Sequence, residues 1–250
     1  TASIPLLPFM YHDGKKIRRN VPQLPEANEH QGQFPFTGSD RTIRLLTLGE
    51  STIAGVGVKT HQDGFTGALA FELSQLFEAG VKWTVYAKSG FTAKKVTRKL
   101  VPQISESTSD IIVIGLGGND AFELNSPMNW RKDIEQLITD IRAVFLEAVI
   151  VFINMPPIKE FPAFTPVIKF TIGNLVEILG EELKSVISEY ENIYYAEEKI
   201  TLVEWAVKAG EGYSNADFFS DGVHPSQLTY QTWGREIARK IYQEQWITLE

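Results

Sequence analysis

Short apolar segments alternate with longer amphipathic segments five times along this sequence, and that alternation constrains the fold more than any other feature. The apolar segments cover residues 44–49, 83–87, 110–115, 149–153 and 192–196. After each of them, apolar residues recur at helical spacing, as in Phe65, Leu69 and Leu73. Alternation of this kind predicts a parallel sheet covered by helices on both faces. Right-handed crossovers then place every strand-to-helix loop at one edge of the sheet.

The length of 250 residues suits one large α/β domain. Residues 1–42 carry five prolines and show no sustained periodicity, which predicts an extended N-terminal arm rather than a domain. Aromatic side chains would pack that arm onto the body of the protein, and they are Phe9, Tyr11, Phe34 and Phe36. Residues 43–250 are expected to form a single domain.

Composition excludes several classes of protein. The sequence has no cysteine, which removes disulfides, thiolate metal sites and a cysteine nucleophile. Its net charge is -7 and its densest basic run is the short segment 15–19, so no nucleic-acid partner is expected. No run of 18 apolar residues occurs, so no membrane span is expected in this chain. Oligomeric state, compartment and any signal or anchor upstream of Thr1 stay open.

Ser51 directly follows the first apolar segment, in the sequence Gly49-Glu50-Ser51. Ligands in open α/β sheets bind outside the carboxyl ends of the strands, so a serine at this point is placed for chemistry. A serine just after a strand can equally be the N-cap of the following helix. This stretch alone leaves both interpretations open.

A second motif, Asp221-Gly222-Val223-His224, lies just before the last predicted helix and favours the chemical interpretation. Asp221 can reach one imidazole nitrogen of His224 within a single turn, which would fix the tautomer and stabilise the imidazolium. His224 is then free to take the proton of Ser51, a poor nucleophile by itself. The other histidines are less suited, since two lie in the arm and His61 lies in a polar loop where solvation is expected.

Acyl transfer also needs hydrogen-bond donors directed at the developing oxyanion. The N–H groups of Ser51 and Gly90 and the side-chain amide of Asn119 are candidates, because they follow three successive predicted strands. Two carboxylates nearby, Glu50 and Asp120, are interpreted as braces that bond loop amides rather than as catalytic acids.

These blocks together resemble the four motif blocks of the SGNH (GDSL-type) esterase and lipase superfamily, in the same order, over residues 44–234. The resemblance implies a flavodoxin-like three-layer α/β/α sandwich with a five-stranded parallel sheet, and hydrolysis through an acyl-enzyme. It implies Ser51 as nucleophile, His224 as base and Asp221 as the orienting acid. It also implies that Ser51, Gly90 and Asn119 form the oxyanion hole. It implies no metal and no organic cofactor. One departure is Glu50, where the family usually has aspartate.

The expected substrate is a small carboxylic ester with a short to medium acyl chain or a lysophospholipid-like structure. Apolar residues of the same loops would line its pocket, and they are Ile53, Phe91, Phe122, Pro157 and Val223. Three alternatives stay open: a carbohydrate O-deacetylase, a non-catalytic ligand-binding module on the same fold, and a nucleotide- or flavin-binding protein. The last is disfavoured because the glycine-rich loop at 115–118 lacks the later glycine and the lysine of a phosphate-binding loop.

Overall fold

A computed structural model describes residues 22–210 and 212–248, and its centre is one six-stranded sheet. The spatial order of the strands is β1-β3-β2-β4-β5-β6, and all neighbours are parallel except β1, which runs antiparallel to β3. The strands are β1 (Gln31–Phe34), β2 (Thr42–Gly49), β3 (Gly80–Ala87), β4 (Ile111–Gly115), β5 (Val149–Phe152) and β6 (Ile193–Tyr195).

The five predicted strands are present, and the sixth, β1, corrects the expectation of a five-stranded all-parallel sheet. This edge strand lies inside the predicted arm and has only four residues with alternating exposure. Its Gly32 packs against the indole of Trp83, because an added Cβ would lie 2.2 Å from the ring. The pairing of β1 with β3 therefore depends on the side chain of Trp83, which is distant in sequence. A segment of four residues is too short to show a periodicity that predicts a strand.

Seven α-helices cover the two faces of the sheet within the described residues. They are α1 (Phe65–Leu76), α2 (Ala93–Lys99), α3 (Gly118–Phe122), α4 (Pro127–Val144), α5 (Pro166–Ile187), α6 (Leu202–Ala209) and α7 (Gln227–Gln243). Helix α1 packs on α7, while α4 packs between α2 and α5. Gly234 permits the first of these contacts, because a Cβ there would lie 2.8 Å from Ala68 and from the backbone of α1. The protein is therefore a three-layer α/β/α sandwich.

The carboxyl ends of the three central strands meet at one point of the sheet edge. Gly49 pairs with Gly115 on one side and with Ala87 on the other. A Cβ on Gly49 would lie 2.2 Å from the Gly115 carbonyl oxygen, so only glycine allows this approach. The loops that follow β2, β3 and β4 therefore start side by side.

Residues 22–34 pack across two of these loops. The Ala27 N–H donates to the Ala54 carbonyl at 2.9 Å, and the His61 N–H donates to the Asn28 carbonyl at 2.9 Å. The arm thereby covers His61, which is only 1% exposed, so the expectation of a solvated His61 is wrong. Burial, together with the nearby His30, lowers the pKa of His61 to about 4. The predicted arm residues Phe9 and Tyr11 lie outside the described residues.

Within residues 22–210 and 212–248, no helix combines the length and the apolar character that crossing a lipid bilayer requires.

Candidate active site

Ser51 lies in a tight turn that leaves β2 immediately after Glu50. The Glu50 N–H still bonds the Gly115 carbonyl at 3.0 Å, and the Glu50 carbonyl accepts the Ala54 N–H at 2.8 Å. Helix α1 begins only at Phe65 and its N-cap is Gly64, so Ser51 is not the cap of that helix. Neither the N–H nor the hydroxyl of Ser51 has a hydrogen-bond partner among the described residues. Both groups are thus available to a ligand.

Gly90 lies in the next loop, at the third position of a four-residue turn. The Phe91 N–H donates to the Lys88 carbonyl at 3.2 Å and closes the turn, and the φ of Gly90 is +81°. A Cβ at Gly90 would meet no atom within 4 Å, so the residue borders open space. Among the described residues its N–H has no acceptor.

Asn119 opens α3 and is held by the carboxylate of Glu50. The Gly118 and Asn119 N–H groups donate to the two carboxylate oxygens of Glu50 at 2.8 and 2.9 Å, and the Asn119 side-chain amide makes a third, short bond to the same carboxylate. The second amide hydrogen is directed at the Phe91 carbonyl, 3.2 Å away. These donors favour the charged form of Glu50, but burial outweighs them and raises the pKa of Glu50 to about 7.

Asp120 is fully buried beside this loop and ties it to helix α2. Its carboxylate accepts the Ala93 N–H at 2.9 Å and the Asn125 side-chain amide at 3.1 Å. Burial raises the pKa of Asp120 to about 6. The structure thus confirms that Asp120 and Glu50 hold loop amides.

Asp221 and His224 form a hydrogen-bonded pair on the loop before α7. One Asp221 oxygen lies 2.7 Å from Nδ1 of His224, and the other accepts the N–H groups of Val223 and His224 at 2.9 and 2.7 Å. Burial acts to raise the pKa of Asp221, but these bonds outweigh it and lower the pKa below its ordinary value. The Asp221 side chain is 0% exposed and that of His224 is 22% exposed, which leaves the far side of the ring accessible.

The loop that carries this pair is packed against the loop that follows Ser51. The Ser220 hydroxyl donates to the carbonyls of Pro225 and Gly57, and the buried Tyr230 hydroxyl donates to the Val56 carbonyl at 2.8 Å. Sequence positions about 170 residues apart therefore meet at one edge. His224 and the Ser51 hydroxyl form no hydrogen bond in this structure. The hydrogen bond between a general base and its nucleophile often forms only when substrate binds.

The five predicted pocket residues differ in their placement. Ile53 is 1% exposed, because its side chain fills the space between Gly49 and Gly115 in the core. Phe91, Val223 and Pro157 are half-buried, and Phe122 is 43% exposed. Phe122 begins a chain of aromatic contacts that runs through Phe164 and Phe161 to Phe219, next to the His224 loop.

A cavity opens between the loops that follow β5 and β6 and helix α5. Its walls include Met155, Pro157, Gly180 and Tyr195. Of the predicted pocket residues, only Pro157 borders it. Met155 also lies against Gly117, so the cavity adjoins the loop of Asn119. Among the described residues, no group of three or more His, Cys, Asp and Glu side chains could hold a metal ion.

Comparison with known proteins decides the family. The model of the GDSL-like lipase/acylhydrolase family matches residues 47–232, which is about three quarters of the chain. The chain belongs to this family. The matched region runs from β2 to the first half of α7, and residues 22–34 lie outside it.

Individual relatives agree with this SGNH (GDSL-type) membership. The chain is 24% identical to esterase TesA of Pseudomonas aeruginosa over 184 residues, which cover 73% of this chain and 79% of TesA. The crystal structure of TesA superposes with a TM-score of 0.58 at 19% identity, over 82% of this chain and 99% of TesA. The crystal structure of a G-D-S-L lipolytic protein from Veillonella parvula superposes with a TM-score of 0.59 at 17% identity, over 80% of this chain and 97% of that protein. The structure of a family-two carbohydrate esterase from Clostridium thermocellum superposes with a TM-score of 0.56 at 14% identity, over 86% of this chain and 66% of that protein.

The sequence did not predict one contact of the loop that carries Gly90. Glu26 of the arm bonds the loop of Gly90, 63 residues away along the chain. No local pattern announces such a contact.

Proposed function

We propose that this GDSL-family chain is a serine esterase that hydrolyses small carboxylic esters through an acyl-enzyme on Ser51. The observation that carries the proposal is the Asp221–His224 pair, at 2.7 Å, on a loop packed against the one that follows Ser51. A histidine with one ring nitrogen held by a buried carboxylate can act as a base through the other.

In the proposed reaction, the Ser51 hydroxyl oxygen attacks the ester carbonyl carbon while His224 takes the hydroxyl proton. The negative charge on the carbonyl oxygen is stabilised by the N–H groups of Ser51 and Gly90 and by the Asn119 amide. Collapse of this intermediate breaks the bond to the alcohol, which leaves with the proton held by His224. Water then attacks the acyl-enzyme in the same way, His224 again moving the proton, and releases the carboxylic acid.

An apolar acyl group is the proposed preference. Phe122 is exposed and lies 5.4 Å from Phe164, ring centre to ring centre, in the aromatic chain that reaches the His224 loop. The other rings of the chain are buried, so an acyl chain laid against the exposed Phe122 ring would bury apolar area there. We therefore expect short- to medium-chain or lysophospholipid-like esters to be better substrates than acetylated sugars.

A panel of p-nitrophenyl esters from acetyl to palmitoyl, a lysophospholipid and a peracetylated oligosaccharide tests the proposal. Wild-type protein should release p-nitrophenol and Ser51→Ala should not, although both should have the same unfolding midpoint. Ser107→Ala is the matched control, because it removes an exposed hydroxyl from the loop before β4 and should keep activity. Near-normal turnover by Ser51→Ala would overturn the assignment.

A fluorophosphonate gives a second measurement that does not require a known substrate. The activated oxygen of Ser51 should displace fluoride from phosphorus, and intact mass should rise by one phosphonyl group in wild type and in Ser107→Ala but not in Ser51→Ala. Preference for the acetylated oligosaccharide would favour the deacetylase instead. Absence of both labelling and turnover would favour a non-catalytic binding module.

A further inference from the structure

Glu26 lies in the arm and bonds the turn that carries Gly90. One oxygen of its carboxylate accepts the Ser89 N–H at 2.7 Å, and the other accepts the Lys88 ammonium at 2.9 Å. The Lys88 side chain is largely exposed, so solvent screens its ion pair and that bond contributes little. The bond to the Ser89 N–H is different, because it fixes a backbone group inside the turn.

The turn itself determines where the Gly90 N–H points. Lys88 to Phe91 form the turn, and the positive φ of Gly90 at its third position is the pattern of a type II turn. In such a turn the peptide group between the two central residues, which carries the Gly90 N–H, has a fixed orientation. A bond that holds the Ser89 N–H anchors one side of Ser89, and thereby restricts the peptide group on its other side.

Glu26 is itself held on a well-anchored segment. The next residue, Ala27, is buried, donates its N–H to Ala54, and has its methyl group against Gly55, where a Cβ would lie 2.6 Å away. The Asn28 N–H bonds the Lys59 carbonyl at 3.0 Å. The same segment is thus fastened to the loop after Ser51 and to the loop of Gly90.

We propose that Glu26 is a positioning residue that fixes the Gly90 N–H for the oxyanion, so the arm segment 22–34 is part of the catalytic unit although it lies outside the family match. This inference rests on the proposed esterase function. Because an oxyanion donor acts on the transition state, loss of its positioning should lower kcat and leave KM nearly unchanged.

Three single variants separate the backbone bond from other effects. Glu26→Ala removes the acceptor of the Ser89 N–H and should lower kcat about 10-fold, which is less than the loss of a whole oxyanion donor. Lys88→Ala removes only the exposed ion pair and should stay within about twofold of wild type. Glu29→Ala is the matched control for removing an exposed carboxylate from the same segment, and its kcat should not change. A kcat for Glu26→Ala within twofold of wild type would overturn the proposal.

A double-mutant cycle shows whether Glu26 acts through the turn. Gly90→Ala has space for its methyl group but is strained at this positive φ, so it should disturb the turn by itself. In that background Glu26→Ala should cost little further kcat. An undiminished cost there would mean that Glu26 acts elsewhere, and would contradict the proposal.

Hydrogen–deuterium exchange provides a measurement independent of turnover. Glu26→Ala should speed exchange in a peptide covering residues 86–91, whereas Glu29→Ala should not, and equal exchange would again overturn the proposal. Failure of the esterase assignment is distinguishable from failure of the Glu26 proposal. If the assignment is wrong, Ser51→Ala retains activity or wild type has none, and the exchange measurement still tests the contact between Glu26 and the turn.

Discussion

The side-chain amide of Asn119 is bonded to the buried carboxylate of Glu50, the residue just before Ser51. Its other hydrogen is directed at the Phe91 carbonyl, 3.2 Å away. The first bond is charge-assisted and therefore the stronger of the two. We infer that a substrate oxyanion would replace the Phe91 carbonyl and leave the bond to Glu50 in place, so Glu50 orients the amide.

Asn119→Ala should lower kcat roughly 100-fold with KM nearly unchanged, because one oxyanion donor is lost. Asn129→Ala is the control, since Asn129 is an exposed asparagine in the first turn of α4 and should leave kcat as it is. Steady-state hydrolysis of the best p-nitrophenyl ester measures both. A loss of less than threefold for Asn119→Ala would remove Asn119 from the oxyanion hole.

Glu50→Gln should reduce both stability and kcat. Both Glu50 oxygens accept N–H groups, so the amide nitrogen of glutamine must face a donor and leaves a buried N–H unpaired, at a cost of about 1–3 kcal/mol. The kcat effect should shrink in the Asn119→Ala background, because the group that Glu50 orients is then absent. Equal kcat losses in the two backgrounds would contradict an action through Asn119.

Asp221→Asn should lower kcat by roughly 10³- to 10⁴-fold through the wrong histidine tautomer. The two N–H groups at one Asp221 oxygen would select the carbonyl of the new asparagine, which turns its NH₂ towards Nδ1 of His224. Asp217→Asn is the matched control, since that exposed carboxylate lies in the same region and bonds the N–H and hydroxyl of Ser214. Retention of more than a tenth of the wild-type kcat by Asp221→Asn would argue against His224 as the base.

Local patterns were sufficient for the five parallel strands and for the contact between Asp221 and His224, because both depend on short-range periodicity or on residues three apart. Contacts between distant segments were not predictable in this way. The burial of His61 depends on the arm, the core position of Ile53 depends on the close approach of Gly49 and Gly115, and the bond from Asn119 to Glu50 joins residues 69 apart. Each of these features arises from tertiary packing.

Gly49→Ala should destabilise the fold by about 3 kcal/mol, since overpacking against a backbone atom cannot relax by a rotamer change. Its methyl group would lie 2.2 Å from the Gly115 carbonyl oxygen. Gly38→Ala is the control for backbone strain alone, because Gly38 has a φ of +94° but no atom within 4 Å of the added Cβ. That variant should cost about 1 kcal/mol. Urea denaturation measures the free energy of unfolding of both variants. An equal decrease in the two would show that β2 and β4 do not approach closely at Gly49.

The stability of the protein should fall between about pH 4.5 and pH 7, in part because of Asp120. Burial raises the pKa of this carboxyl from 3.8 to about 6, so the folded state favours its neutral form. The resulting stabilisation is fully present below about pH 4 and is lost as pH rises through about 6, a change of up to about 3 kcal/mol. Glu50 acts in the same direction up to about pH 7. His61 acts in the opposite direction up to about pH 6.5, because its pKa is lowered to about 4, and Asp221, with its lowered pKa, stabilises above about pH 4.

The change of the urea midpoint with pH, compared between variants, isolates the contribution of Asp120, because the other titrating groups are the same in every variant. Asp120→Asn cannot ionise at this position, so its urea midpoint should fall less steeply from about pH 4.5 to pH 6 than that of wild type, whatever its absolute stability. Asp40→Asn removes an exposed carboxylate and should retain the wild-type slope. Parallel curves for wild type and Asp120→Asn would mean that Asp120 ionises at the same pH in the folded and unfolded chains, so its burial would carry no free-energy cost.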